Sequence, residues 1–241
     1  MFALHHFVQP IGYFMSSDQS NAEISSPVIE WRDDALPIAV NFDDSYFSQE
    51  NGLDETQHVF LAGNDLPARL CDGFHVAELG FGTGLNFLAT WAAWRAKSVD
   101  GQLKYTSFEA FPMAFVDMER ALLSFPELGD LTKEFLELGG GSFETAEIAL
   151  NIVHGDAQET LPAWGNKANA WYLDGFSPAK NPELWNAVIM NDVGNHTAKD
   201  GTFATYTAAG HVRRALTEAG FDVERVKGHG RKRHMSRGKL R

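Results

Sequence analysis

Residues 76 to 86, Val76-Ala77-Glu78-Leu79-Gly80-Phe81-Gly82-Thr83-Gly84-Leu85-Asn86, place three glycines at every second position after a short apolar run. Glycine tolerates positive φ and has no Cβ to hold off a ligand, so a backbone this bare suits a nucleotide-sized molecule lying on main-chain N–H groups. The spacing is G-x-G-x-G, and Leu85 stands where the dinucleotide fingerprint needs its third glycine, which weakens an NAD reading. Glu78, two places before the first glycine, points instead to an S-adenosylmethionine site, although the loop alone leaves dehydrogenase, methyltransferase and plain binding module open.

Three further acids follow short β-like runs. Leu103-Lys104-Tyr105-Thr106-Ser107-Phe108-Glu109 ends in a carboxylate suited to accepting both hydroxyls of a ribose. His154-Gly155-Asp156-Ala157 places Asp156 where it can accept from an adenine amino group, with Ala157 beside it. Ala170-Trp171-Tyr172-Leu173-Asp174-Gly175-Phe176 brings an acid and an aromatic to the same rim. Each acid alone has an ordinary alternative as the cap of the following helix; together, and in order, they read as a site.

The elements that would hold these residues alternate short apolar runs with longer amphipathic ones from His75 onward, the pattern of a mostly parallel sheet with helices on both faces. Strands are expected near 75–80, 104–109, 147–154, 169–174, 201–206 and 221–227, the last ones pairing antiparallel. Leu85 opens a helix, Pro112 marks another start, and Asn181-Pro182 reads as an N-cap followed by an N1 proline. Phe87 and Trp91, four apart on the first of these helices, belong to the core. Ahead of them, 27–31 and 37–40 suggest a hairpin appended to the main sheet, and 52–61 a helix before the breaker Gly63-Asn64-Asp65. Residues 1–27 show no steady period and contain the polar run 16–21, which suggests a loosely ordered entry. One α/β domain over 38–241 with an N-terminal extension over 1–37 accounts for the chain.

At 241 residues, 44% hydrophobic and 22% charged, the chain has the composition of a globular domain, with no apolar run near the ~20 residues of a membrane span. A single cysteine, Cys71, excludes an internal disulfide framework and suits a reducing cytoplasm; the start lacks the features of a secretory signal. The histidines show no metal-ligand spacing, so no metal is expected. The net charge of −12 is uneven. Residues 225–241 hold eight of the 20 basic residues and no acid, while the other 12 stand against all 32 acidic ones. A basic end on an acidic body is a local footprint for a phosphate backbone, or simply a solvated tail.

Several longer segments resemble the methyltransferase domain of the bacterial enzyme that makes 5-methylaminomethyl-2-thiouridine in tRNA, the MnmC-like group. They are Asp43-Asp44-Ser45-Tyr46-Phe47-Ser48, Gly52-Leu53-Asp54-Glu55-Thr56, Val59 to Asn64, Gly80 to Phe87, Ser107 to Pro112, Tyr172 to Trp185, Ala209 to Leu216 and Lys227 to Arg233. The resemblance runs from about residue 38 to 236. The Asp-Gly-Phe-x-Pro-x-x-Asn-Pro-x-x-Trp and Lys-Gly-x-Gly-Arg-Lys-Arg patterns carry its specificity.

The resemblance implies a Rossmann-like S-adenosylmethionine-dependent methyltransferase fold. It also implies methyl transfer to the primary amine of 5-aminomethyl-2-thiouridine at the wobble position. Donor contacts then fall to Glu78, Gly80, Gly82, Gly84, Asn86, Glu109, Asp156, Ala157 and Phe176. Asp174 is the residue placed to hold the amine. An alkylamine is protonated near neutral pH, by analogy with lysine at about 10.4, and an ordinary aspartate near 3.9 is a weak base toward it, so alignment and charge balance suit Asp174 better than simple proton abstraction. Tyr46, Phe47 and Phe176 are candidates to stack on adenine or on a flipped uridine, or are core aromatics. Lys180 either meets RNA phosphate or stays solvated, and Arg231, Lys232 and Arg233 are expected to contact tRNA. Many relatives fuse this domain to a flavin-dependent oxidoreductase. Here FAD is expected to be absent, with the amine supplied by a separate oxidoreductase or by the enzymes that install the aminomethyl group. Two rivals stay open: a methyltransferase for a small amine or another RNA position, which needs no basic tail, and a non-catalytic binding module, which has no use for Asp174.

Overall fold

The computed structural model describes residues 26–48 and 51–241; the entry segment at 16–21 and most of the expected extension lie outside them. The chain opens with β1 (Ile29–Arg32), β2 (Leu36–Ala39) and β3 (Asp44–Ser45), then α1 (Gly52–Thr56), which continues through irregular helical turns to Asn64. The main domain follows as β4 (His75–Leu79), α2 (Leu85–Lys97), β5 (Leu103–Glu109), α3 (Phe115–Leu122), α4 (Gly129–Glu137), β6 (Phe143–Glu144) and β7 (Ile148–His154). It closes with α5 (Ala157–Thr160), β8 (Ala168–Leu173), α6 (Ala187–Asn195), β9 (Thr197–Thr205), α7 (Gly210–Glu218), β10 (Phe221–Lys227) and β11 (His234–Leu240).

Eight strands form one sheet in the order β10-β11-β9-β8-β4-β5-β7-β6. Its centre is parallel, with β8 and β5 flanking β4, and its edges are antiparallel, β11 pairing with both β9 and β10 and β6 with β7. Successive residues along the central strands alternate between two cores. Val76, Tyr105, Leu150 and Tyr172 point to one face and meet Phe87 and Trp91 of α2; Ala77, Leu79, Phe108, Trp171 and Leu173 point to the other and meet Ile189 and Val193 of α6. This is the period-2 pleat of a strand buried on both faces. Phe87 and Trp91 are fully buried with ring centroids 5.6 Å apart, as the sequence suggested.

Four local readings need correction. The expected hairpin forms, with Ile29 opposite Ala39, but it joins β3 in a separate three-stranded sheet and not the main one. Pro112 does not open α3, which begins three residues later with Ala114 as its N-cap. Asn181 heads a single 3₁₀ turn without a side-chain cap; Asn186 instead caps α6 by accepting from Ile189 N at 3.0 Å. The basic segment 234–240, read as a footprint for phosphate or a solvated tail, is a strand whose adjacent residues Met235 and Ser236 are buried. Among the described residues, no helix is long and apolar enough to cross a membrane.

Candidate active site

From β4 the chain passes to β5 and β7 on one side of the sheet, and from β8 to β9 on the other, so the direction of winding reverses between β4 and β8. Ligands of open α/β sheets bind beyond the strand ends at such a reversal. Here the glycine loop follows β4 and Asp174 follows β8. A cavity of about 740 Å³ opens over both, within the ~300–1,000 Å³ usual for small-molecule sites.

The glycine loop is bare because it must be. Gly80, Gly82 and Gly84 have φ of +85°, +54° and +79°, a region where L side chains are strained. A Cβ on Gly80 would lie 3.3 Å from Gly175 Cα, so the two loops run backbone against backbone. A Cβ on Gly82 would meet the Tyr46 ring at 3.2 Å. Glu109 fixes the loop from the adjacent strand: its Oε2 accepts from Gly82 N at 2.9 Å and its Oε1 from Phe111 N at 2.7 Å.

Asn86, on the first turn of α2, is the hub of the floor. Its amide donates to Glu78 Oε1 at 2.9 Å and to Asp174 Oδ2 at 2.7 Å, while its carbonyl oxygen accepts from Thr56 Oγ1 at 2.8 Å. Glu78 is wholly buried and also accepts from Ser107 Oγ at 2.8 Å. Burial pushes the Glu78 carboxyl well above the usual carboxylate range, opposed by the Asn86 hydrogen bond, and the negative charge of Asp174 adds to the upward push. Asp174 Oδ1 accepts from Gly175 N at 2.8 Å. Burial pushes Asp174 up to about 6, against these hydrogen bonds.

That shift has a testable consequence. A carboxyl raised from its ordinary value to about 6 binds more protons folded than unfolded between those values. Its contribution to stability is therefore full at low pH and is lost as pH rises through about 6. Two pH units at 1.36 kcal/mol each put the loss near 3 kcal/mol as an upper bound. Urea unfolding at pH 5 and pH 7.5 spans about one of those two units, so the wild type is expected to lose about 1.4 kcal/mol more than Asp174→Ala over that interval, the raised Glu78 contributing to both; equal pH dependence in both would place the shift elsewhere.

The structure brings most of the expected residues to the cavity wall: Gly80, Gly82, Asn86, Glu109, Asp156, Ala157, Asp174, Phe176, Tyr46, Phe47, Arg231 and Lys232. Others stand apart. Glu78 lies beneath the floor, reaching the cavity only through Asn86. Gly84 serves as the N-cap of α2. Asp156 is exposed and caps α5, accepting from Gln158 N at 2.8 Å, so the ordinary reading of this acid holds alongside its place on the wall. Lys180 pairs with Asp43, bonding both its carboxylate and its carbonyl, and Arg233 is not among the residues that line the cavity, its main-chain carbonyl accepting from Gly228 N.

Tyr46 and Phe176 belong to an aromatic wall with Phe42, whose ring stacks on Phe176 at 4.3 Å; Tyr46 meets Phe176 edge-on at 5.3 Å. The Tyr46 hydroxyl is buried without a hydrogen-bond partner, and Phe47 packs edge-on against Phe125. An orphaned hydroxyl on the wall, bare main chain on the floor and acids at the strand ends suit a donor carrying hydroxyls, amino groups and a cationic sulfonium.

Tyr206, Asp44, Phe42 and Glu55 are among the wall residues not singled out as site residues from the sequence. Tyr206 follows β9 and donates from its hydroxyl to Gly175 O at 2.8 Å; the rule that strand ends carry the site applies to it as well as to Asp174. Asp44 Oδ2 accepts from Ser177 N at 2.8 Å, tying the small sheet to the loop after β8. Phe42 and Glu55 come from the segments ahead of β4, where no strand-end rule applies. Among the described residues, no group of three or more His, Cys, Asp or Glu side chains is placed to hold a metal.

Comparison with known proteins agrees with this geometry. The family model described as S-adenosyl-L-methionine-dependent methyltransferase matches residues 128–241. The chain is 41% identical over 226 residues to the tRNA 5-methylaminomethyl-2-thiouridine biosynthesis bifunctional protein MnmC of Stutzerimonas stutzeri, covering 88% of this chain and 34% of that protein. It is 42% identical over 224 residues to the MnmC of Pseudomonas aeruginosa, covering 87% and 34%. The chain thus spans about a third of the length of these curated relatives. Among solved structures, MnmC2 of Aquifex aeolicus superposes with a TM-score of 0.73 at 25% identity, covering 92% of this chain and 72% of that one. Spermidine synthase of Thermotoga maritima, with a TM-score of 0.55 at 11% identity, shares the fold. Over nearly nine tenths of its length the chain is similar to about a third of the MnmC proteins, and its residues 128–241 match the S-adenosyl-L-methionine-dependent methyltransferase family.

Proposed function

We propose that this chain transfers a methyl group from S-adenosylmethionine to the amine of 5-aminomethyl-2-thiouridine at the tRNA wobble position, in the cytoplasm. The observation that carries this reading is the Glu78–Asn86–Asp174 bridge. It fixes a carboxylate at the junction between the bare glycine floor and a wall bearing Arg231 and Lys232. The printed names of the curated relatives support the choice of acceptor.

The donor, when bound, supplies an electrophilic methyl on a sulfonium. Gly80 and Gly82 give it a main-chain surface free of Cβ atoms, and Glu109, already spanning two N–H groups, sets the shape of that surface. Asp174 receives the acceptor amine. With its carboxyl held near 6, it is ionised at neutral pH and a stronger base than an ordinary aspartate. It therefore aligns the nitrogen and offsets positive charge while the proton leaves; fixing nucleophile and electrophile in line can supply on the order of 7–11 kcal/mol of barrier reduction. The acidic floor does not compete for the methyl group, because the carboxylates are engaged by Asn86, Ser107 and main-chain N–H groups. The amine itself must come from a preceding reaction that installs or unmasks the aminomethyl group.

The test is incubation with labelled donor and tRNA bearing 5-aminomethyl-2-thiouridine, beside tRNA bearing the carboxymethylaminomethyl form. Label is expected in the first alone. Label in neither, or transfer to a small amine without tRNA, would refute the reading.

A further inference from the structure

Lys232 and Glu55 form a contact that nothing above explains. Lys232 Nζ lies 2.8 Å from Glu55 Oε1 and 4.0 Å from the centre of the Tyr206 ring. The Glu55 side chain is only 12% exposed, and the Lys232 side chain 46%. All three residues line the cavity that holds Asp174, and the Tyr206 hydroxyl is bonded to the carbonyl of the next residue, Gly175. A sheltered carboxylate beside an aromatic face is the chemistry that recognises an alkylammonium ion. A lysine head occupies that place here, and the acceptor amine, protonated on arrival, has the same charge and nearly the same size as that head.

We propose that Glu55 and the Tyr206 ring are the seat of the acceptor's ammonium group, and that Lys232 holds this seat until RNA phosphate draws it away. This rests on the reading of the site as an amine methyltransferase. Two features make the exchange workable. Lys232 sits in the basic run between Arg231 and Arg233, so an incoming phosphate backbone offers it a new partner. With its lysine half exposed, the ion pair is open to competition from phosphate, so the exchange is workable. Once Lys232 leaves, Glu55 lacks a cation, and the amine supplies it next to Asp174. Glu55 raises the proton affinity of Asp174 and Lys232 lowers it, which places the three charges in one field. RNA docking and amine capture become one event, and a tRNA without the aminomethyl group gains the phosphate contact but not the seat.

The test measures the affinities of two tRNAs, one with 5-aminomethyl-2-thiouridine and one with 2-thiouridine at the same position, with S-adenosylhomocysteine in the donor site. The wild type is expected to prefer the aminomethyl form by about tenfold or more. Glu55→Gln is expected to bring the two affinities within about threefold, with the 2-thiouridine tRNA bound at least as tightly as by the wild type because Lys232 is no longer held, and Glu55→Asp to restore part of the preference. Lys232→Gln is expected to weaken both tRNAs yet widen their ratio, because the competing lysine is gone. Thermal unfolding of each variant separates a folding defect from a lost contact. An unchanged ratio in Glu55→Gln, or a narrowed ratio in Lys232→Gln, overturns the seat. Wild-type methylation of the aminomethyl tRNA, assayed in the same preparation, keeps the two failures apart: its absence refutes the parent reading, and its presence with an unchanged ratio refutes the seat alone.

Discussion

Asp174→Ala is expected to reduce turnover on aminomethyl tRNA by about a thousandfold or more, while S-adenosylmethionine still binds within a few-fold of wild type. The carboxylate accepts from Asn86 and Gly175 and stands at the end of β8, opposite the basic wall. Its removal leaves the glycine floor and Glu109 intact, so the donor keeps its surface. What disappears is the group that aligns the amine and offsets its charge. Single-turnover rates together with calorimetric donor binding separate the two effects. Turnover within tenfold of wild type would remove Asp174 from its role, and loss of donor binding would move it to the donor side.

Asn86→Asp is expected to be the most destabilising single-atom exchange in the site, by about 3 kcal/mol or more at pH 7.5. The substitution deletes the amide that bonds Glu78 and Asp174 and inserts a third acid between two whose carboxyls burial already raises. Each added buried acid with a raised folded value contributes stability at low pH that is lost as pH rises, so the defect is expected to shrink at pH 5. Urea midpoints at both pH values test this. A defect that is equal at both would mean that lost packing, and not charge, is responsible.

The alternating core strands, the glycine loop and the acids after β5 and β8 were legible because each depends on local rules: period-2 burial, positive φ and the position of strand ends. Ser236 shows where those rules stop. It is fully buried in β11, yet its segment carries Arg231, Lys232, Arg233, Arg237 and Lys239, a composition that reads as a solvated tail. Only pairing with β9 and β10 makes it a strand, and Glu224 and Asp200 supply partners for Arg237 and Lys239. Glu78 was placed on the donor by its distance from Gly80. In the fold it points beneath the loop, because alternate residues of β4 face opposite sides of the sheet.

By itself, the sequence determined the fold class, the bare floor at Gly80 to Gly84 and the acids that follow the strands, since glycine conformation and strand periodicity are properties of neighbouring residues. Tertiary structure alone decided that Asn86 joins Glu78 to Asp174 and that Glu55, Lys232 and Tyr206 meet. These groups are separated by up to 177 positions, and hydrogen bonds and ion pairs act over a few ångströms of space whatever the distance along the chain.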